Sequence, residues 1–371
     1  MELTSEQINY CMECGVCTGS CPISQVDTRF SPRQMIKRTL EEQEEDILQN
    51  RDIWACLSCA RCSDRCPVEI DFPEFIRSYR AKARERNNFP HESHHGIFHT
   101  LVNLQTGNIN QNRTAWATDA GKFREQGEYY LFVGCLPYYD IFFRYLDLSC
   151  IDIAKSMLKL LNKVDIEPVI SNEECCCGHD ALWSGNEEQF LELGKKNIEQ
   201  IKASGASTVI FGCPEGYMNF KYYYPKYFGN LPFEVIHLSE LLASRIPEAN
   251  ISFTPDKEET ITYHDPCRLG RWSGIYQQPR EILKQVPGAT LTEMPRNKEG
   301  ALCCGTTAWM ECSSCSKAMQ MERLTEAEDT GANTLITACP KCQIHFSCSK
   351  TNTDIGINIK DIYTYLSEHL E

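Results

Sequence analysis

The 371-residue sequence predicts a multidomain α+β chain, with an all-helical N-terminal third followed by a duplicated α/β unit. Three observations carry this. Helix formers flank two cysteine runs of identical spacing near the N-terminus. From residue 128 onward, two stretches repeat one cysteine pattern. In both, short apolar runs such as "TVIF" and "TLIT" follow helix-like segments such as "EEQFLELGKKNIEQIKA". Strand alternating with helix implies a layered α/β unit. The expected divisions are 1–86, a helical domain; 87–127, an irregular linker; 128–250, a first half; and 251–371, a second half.

Composition narrows the chemistry. The chain has 22 cysteines. Disulfide-dense scaffolds are usually short secreted domains. This chain is long and its N-terminus, "MELTSEQINYCMECG", lacks an apolar leader core. The expectation is a cytoplasmic protein whose cysteines bind metal or do redox work. A formal net charge of −14 argues against nucleic acid and anionic membrane surfaces. The acidic run from Glu41 to Asp46 reads as a solvated helix face or a dock for a basic partner. The most apolar stretch, "YYLFVGCLPYYDIFFRYL", is broken by Gly134, Pro137, Asp140 and Arg144, so membrane attachment would need a partner subunit.

Residues 11–22, "CMECGVCTGSCP", and 56–67, "CLSCARCSDRCP", are both C-x2-C-x2-C-x3-C-P. In two-cluster ferredoxins with this run, the fourth cysteine ligates the other cluster. The spacing therefore assigns Cys11, Cys14, Cys17 and Cys66 to one 4Fe–4S cubane, and Cys56, Cys59, Cys62 and Cys21 to a second. Between the runs, Pro32 suits a first helical turn. Residues 73–86 look like a further helix. This third resembles the helical two-cluster ferredoxin domain in iron–sulfur subunits of quinone-linked dehydrogenases.

The linker contains "HESHH", a literal match to the zinc-protease pattern H-E-x-x-H. It follows Pro90 directly and has no evident third ligand. His91, His95 and His99 would need one helical face to act together.

The duplication is explicit. The first half carries Cys135, Cys176–Cys177–Gly178 and Cys213; the second carries Cys267, Cys303–Cys304–Gly305 and Cys339. The offsets are alike: 267 − 135 is 132, 304 − 177 is 127, and 339 − 213 is 126. In each half the cysteines fall after strands or in turns, where loops converge. Glycine after each pair supplies backbone freedom for neighbouring thiolates. The second half adds Cys342 in "CPKC"; the first has Gly216 at that place in "CPEG". Cys175 has no counterpart and reads as a spare or a substitute ligand.

Cys, a gap, Cys-Cys-Gly, a similar gap, then Cys-Pro-x-Cys is similar to the cysteine-rich CCG domain of the heterodisulfide reductase family. The N-terminal third resembles that family's C subunit and the duplicated part its B subunit. Their fusion resembles the D subunit of the family's membrane-linked enzymes. The resemblance implies a five-cysteine noncubane 4Fe–4S cluster at Cys267, Cys303, Cys304, Cys339 and Cys342. These would also be the catalytic residues, acting on a thiol–disulfide couple. At Cys135, Cys176, Cys177 and Cys213 it leaves another iron–sulfur cluster or zinc. It further implies an oxidoreductase subunit of an anaerobic redox complex, partnered by a flavin subunit, a membrane cytochrome or other redox subunits. The alternative is an electron-transfer adaptor without a substrate, linking a dehydrogenase or reductase to a flavin subunit or quinone pool.

Other residues are weighed against these. Arg268, Arg271 and Lys341 flank the complete motif, to offset thiolate charge or to grip an anionic substrate. Cys150, Cys312, Cys315 and Cys348 read as free thiols. The run Tyr217–Phe228 reads as core and interface packing. His179, His264 and His345 lie near cluster cysteines and suit hydrogen bonds to sulfur. No dinucleotide or nucleotide-phosphate loop is written in the sequence.

Overall fold

The computed structural model describes residues 5–254, 258–351 and 353–371; the first four residues of the polar N-terminus lie outside these. The N-terminal third is helical. Pro32–Leu40 starts on a Ser31 cap whose hydroxyl accepts the Gln34 N–H at 3.2 Å, with Pro32 inside its first turn. Phe72–Glu85 starts on Asp71, whose carboxylate accepts the Glu74 N–H at 3.2 Å. Such caps satisfy amides that the helix itself leaves free. The acidic run is held by this second helix. Glu44 pairs with Lys82 at 2.7 Å and Glu45 with Arg86 at 2.6 Å.

The segment expected as an irregular linker contains a ten-residue helix, Ile97–Thr106. Phe98, Val102 and Gln105 form its buried side. The apolar spacing is present, but Asn, Gln and His residues around it mask the period. "HESHH" is not a helix. His94 and His95 have φ of 53° and 55° in a short 3-10 turn, so the three histidines do not share a helical face. His94 packs against Phe98, Phe143 and Trp309. His99 Nε2 lies 3.0 Å from the Ala308 carbonyl.

The rest is two parallel sheets. The first is β1 (Tyr129–Phe132), β2 (Thr208–Phe211) and β3 (Glu234–His237), in the order β1-β2-β3. The second is β4 (Glu259–His264), β5 (Ala289–Leu291), β6 (Thr334–Thr337) and β7 (Asn358–Asp361), in the order β5-β4-β6-β7. Val169 completes the likeness. It bridges Tyr130 in parallel, its N–H donating to Tyr129 O at 2.7 Å, and so stands beside β1 as β5 stands beside β4. Strands enclosed on both faces bury consecutive residues rather than alternate ones, as in β2 and β6.

The halves pack around a pseudo-two-fold axis. The helix Cys150–Lys163 of the first half lies on Ile362–Glu368 of the second, and Leu238–Glu248 of the first lies on Gln277–Leu283 of the second. The helix after one half's first strand thus meets the helix after the other half's last strand, twice. The aromatic run forms consecutive helical segments, with Tyr217, Phe220, Tyr223 and Tyr224 buried.

The ferredoxin-like third is fastened to both halves. Arg80 is fully buried and donates to Ile53 O at 3.0 Å, Trp54 O at 3.2 Å, Cys56 O at 2.5 Å and Trp183 O at 2.9 Å. Trp183 belongs to the first half. At Gly185 the backbones are so close that a Cβ would lie 2.5 Å from Ala81 N and 2.6 Å from Arg80 C. On the other side, Ser314–Glu328 packs on the short helix Pro22–Val26.

Candidate iron–sulfur centres

The two ferredoxin-type runs adopt one loop twice. Glu13 and Gly15 have φ of 49° and 79°; Ser58 and Ala60 repeat this at 45° and 61°. Left-handed backbone at a non-glycine residue costs roughly 1 kcal/mol or more, and recurs where function requires it. One pocket is lined by Cys11, Cys14, Cys17 and Cys66, with Cys62. Another is lined by Cys21, Cys56, Cys59 and Cys62. Cys66 thus lies with the cysteines of the first run and Cys21 with those of the second, while Cys62 borders both cavities. Cys14 is exposed, whereas Cys56, Cys59 and Cys62 are buried. Burial pushes the Cys21 thiol up to about 11 and Cys56 to about 12. Metal loading at such thiols releases protons.

In the duplicated region the cysteines sit at the carboxyl ends of equivalent strands. Cys135 and Cys267 lie three residues beyond β1 and β4; Cys213 and Cys339 lie two beyond β2 and β6. The Cys-Cys-Gly turns complete each group. Gly178 and Gly305 have φ of 77° and 83°. A Cβ there would lie 2.8 Å from the Phe190 ring or 2.8 Å from Ser316 O, so glycine is required twice over. Cys135 Sγ lies 3.9 Å from Cys176 Sγ, and Cys177 and Cys213 share that group. Cys175 turns away: its sulfur lies 3.6 Å from Leu193 O. Successive side chains on an extended chain diverge, which separates the triple cysteine into one packing residue and two site residues. In the second half Cys267, Cys303, Cys304, Cys342 and Cys339 follow one another as neighbours in that order, and His345 Nδ1 lies 3.5 Å from Cys304 Sγ.

Two proximities link these groups. The Cys59 thiol of the ferredoxin-type loop stands beside Cys303. Across the pseudo-axis, Cys213 and Cys339 are close enough for a thiolate at one to raise the other. Between them, equivalent positions in "CPEG" and "CPKC" pair directly: Lys341 Nζ lies 2.7 Å from Glu215 and also contacts Asp180. Burial alone would raise the Asp180 carboxyl, but Lys341 and His179 outweigh it and hold it below the usual range. His179 Nδ1 faces Asp180 at 3.1 Å, while Nε2 accepts from Arg268 Nε at 3.3 Å. His179, Asp180 and Glu215 are a donor set suited to a cation, and the Lys341 ammonium already supplies that charge.

The three flanking cations are committed to the protein. Arg268 donates to Ser58 O at 2.6 Å and stacks on Trp183 at 4.2 Å. Arg271 donates to Cys59 O at 2.7 Å and Ala301 O at 2.8 Å. Arg271 Nη2 and Arg61 Nε and Nη1 are buried with no partner among the described residues, and both side chains stand near Cys59. Donors left over beside gathered thiols suit the surplus negative charge of thiolate-bound clusters. The residues present therefore fit iron–sulfur groups.

Glu174 and Arg113 carry no motif of their own in the sequence. Glu174 accepts the N–H groups of Val133 at 3.1 Å and Gly134 at 2.8 Å, and pairs with Arg113 at 2.8 Å, so it holds the Cys135 loop. Burial raises its carboxyl to about 6 against the opposing pull of Arg113. Its place beside the cysteine triple is the available signal. Cys150 is a buried helix residue, and Cys348 Sγ lies 3.1 Å from Lys317 Nζ; both are outside the cysteine groups.

Residues 7–70 match the 4Fe-4S dicluster domain, and residues 129–221 and 261–347 each match the cysteine-rich domain called CCG. The D subunit of the dihydromethanophenazine:CoB–CoM heterodisulfide reductase of Methanosarcina acetivorans is 28% identical over 351 residues, covering 92% of this chain and 82% of that one. This chain is a heterodisulfide reductase-like iron–sulfur protein. Among its relatives is the EtfAB:quinone oxidoreductase of Syntrophomonas wolfei, 29% identical over 323 residues, which cover 80% of this chain and 43% of that protein. The heterodisulfide reductase-like chain also shares its fold with a hypothetical protein from Helicobacter pylori. The crystal structure of that protein aligns with a TM-score of 0.56 over 91% of this chain and 66% of the other, at 13% identity. The chain is an iron–sulfur oxidoreductase subunit. Among the described residues no helix is long and apolar enough to cross a membrane.

Proposed function

We propose that this protein takes electrons from a flavin or haem partner, carries them through two 4Fe–4S cubanes, and delivers them to a noncubane cluster at Cys267, Cys303, Cys304, Cys339 and Cys342. A thiol–disulfide couple is handled there. The observation that carries this reading is that Cys59 and Cys303 stand side by side, with Arg271 donating to the Cys59 carbonyl at 2.7 Å. The second ferredoxin-type group and the five-cysteine group are therefore neighbours. The order of exposure supports a direction: Cys14 reaches solvent, and the second group is enclosed. When bound, the clusters supply stepwise one-electron transfer. The chain's own residues hold the two groups in register, Arg271 through the Cys59 carbonyl and Arg268 through Ser58.

The pairing of Glu215 with Lys341 favours a second reading. These buried charges stand between the two CCG groups, where a disulfide reacting with both would lie. With Gly216 in place of a fifth cysteine, they favour an adaptor that passes electrons on to a flavin subunit or quinone pool. Anaerobic turnover of the intact complex separates the two. Reduced viologen should be oxidised by candidate disulfides under the first reading; no turnover with any of them removes it. Iron and acid-labile sulfide should reach about twelve per chain, or about sixteen if the first CCG group also holds four irons.

A further inference from the structure

The two CCG groups are not equivalent, and the difference reaches beyond Gly216. In the repeat register, Phe211 corresponds to Thr337, Cys213 to Cys339 and Gly216 to Cys342. A Cβ on Gly216 would lie 3.9 Å from Cys177 Cβ, so it would point at the cysteine pair as a fifth ligand must. It would also lie 3.0 and 3.3 Å from the Phe211 ring. That ring is fully buried and wedged between Phe132 and Phe220, with centroids at 5.0 and 4.8 Å. It cannot swing aside without repacking the core.

The second half has the opposite pair. Thr337 and Cys342 are both buried, a small residue beside the extra thiol. His264 stands where the first half has Phe132, and it lies near Cys304. Its Nδ1 accepts from Arg323 Nε at 3.2 Å, so the proton is on Nε2. His264 Nε2 and Thr337 Oγ1 are buried with no partner among the described residues. Two spare donors therefore replace two phenyl rings. Such donors suit a thiolate-rich centre, whereas the first half is sealed by aromatic carbon.

We infer that Phe211 limits the first CCG site to four thiolates by filling the place of the fifth, and that Thr337 at the matching position makes room for Cys342. The inference rests on reading both CCG motifs as cluster sites.

The test is Mössbauer spectroscopy of the iron-57-loaded chain, with ferredoxin iron as an internal measure of folding. Gly216→Cys alone should leave the five-thiolate signal at one site per chain. Phe211→Thr with Gly216→Cys should double it. A doubled signal in the single variant overturns the inference. So does an unchanged signal in the double variant when its ferredoxin iron is intact. If the double variant loses all iron, Thr337→Phe decides. It should abolish the five-thiolate signal and keep the ferredoxin iron; a persisting signal overturns the inference. Unsubstituted protein carrying only ferredoxin iron would instead sink the proposed function, and this inference with it.

Discussion

Asp361 caps the Ile362–Glu368 helix with one carboxylate oxygen, which accepts the Tyr363 N–H at 2.9 Å; its other oxygen is buried without a partner among the described residues. Burial raises its carboxyl to about 7, partly opposed by the Tyr363 and Thr364 amides. The unfolded carboxyl titrates near 4, so between about pH 4 and 7 the folded chain binds a proton that the unfolded chain has lost. Stability therefore falls as pH rises through that window, by up to about 4 kcal/mol, and levels off above it. Asp361→Asn keeps a cap and should flatten the difference in unfolding midpoint between pH 5 and pH 8. A full wild-type slope in that variant would show that another group is responsible. The repeat partner of Asp361 is His237, also a cap, which burial holds neutral by lowering it to about 3. Arg80 is the opposite kind of buried charge, fully engaged by four carbonyls. Arg80→Leu would orphan those acceptors and should cost about 3 kcal/mol or more. Faster bleaching of cluster absorbance under a chelator would measure it.

Gly185 shows what an element boundary can demand. Its φ is 77°, and the Phe72–Glu85 helix crosses directly over it. Gly185→Ala must move one backbone or the other. The expected outcome is a destabilised chain whose ferredoxin-type third is cut first in limited proteolysis; equal protection of both parts would refute the tight crossing. Much of the element plan is legible in the sequence. Cysteine spacing locates the two loops, since metal geometry dictates it, and the repeat locates both sheets, since each half repeats one strand-loop-helix order. The Ile97–Thr106 helix is not legible because its polar neighbours hide a short apolar period. The cross-axis contact of Glu215 with Lys341 is half legible: the repeat aligns the two positions, but only the fold brings opposite charges face to face. Phe211 looks like any strand residue, because its role depends on a side chain that is absent at Gly216.

At the scale of the whole molecule, three units pack into one assembly of cysteine groups. The pseudo-two-fold brings the CCG groups together, and the N-terminal third spans both halves. Lying across them, it covers its own second cysteine group. Cys56, Cys59 and Cys62 are each less than 9% exposed, beneath Arg268, Arg271 and Trp272. In the folded chain Cys14 is exposed, whereas the Cys59 side chain is buried. The expected consequence is an order of maturation, in which the buried cysteine group fills more readily before the N-terminal third docks. Iron and sulfide supplied to folded apoprotein should fill the outer group quickly and the inner group slowly. Gly185→Ala, by loosening the seal, should bring the two filling rates together.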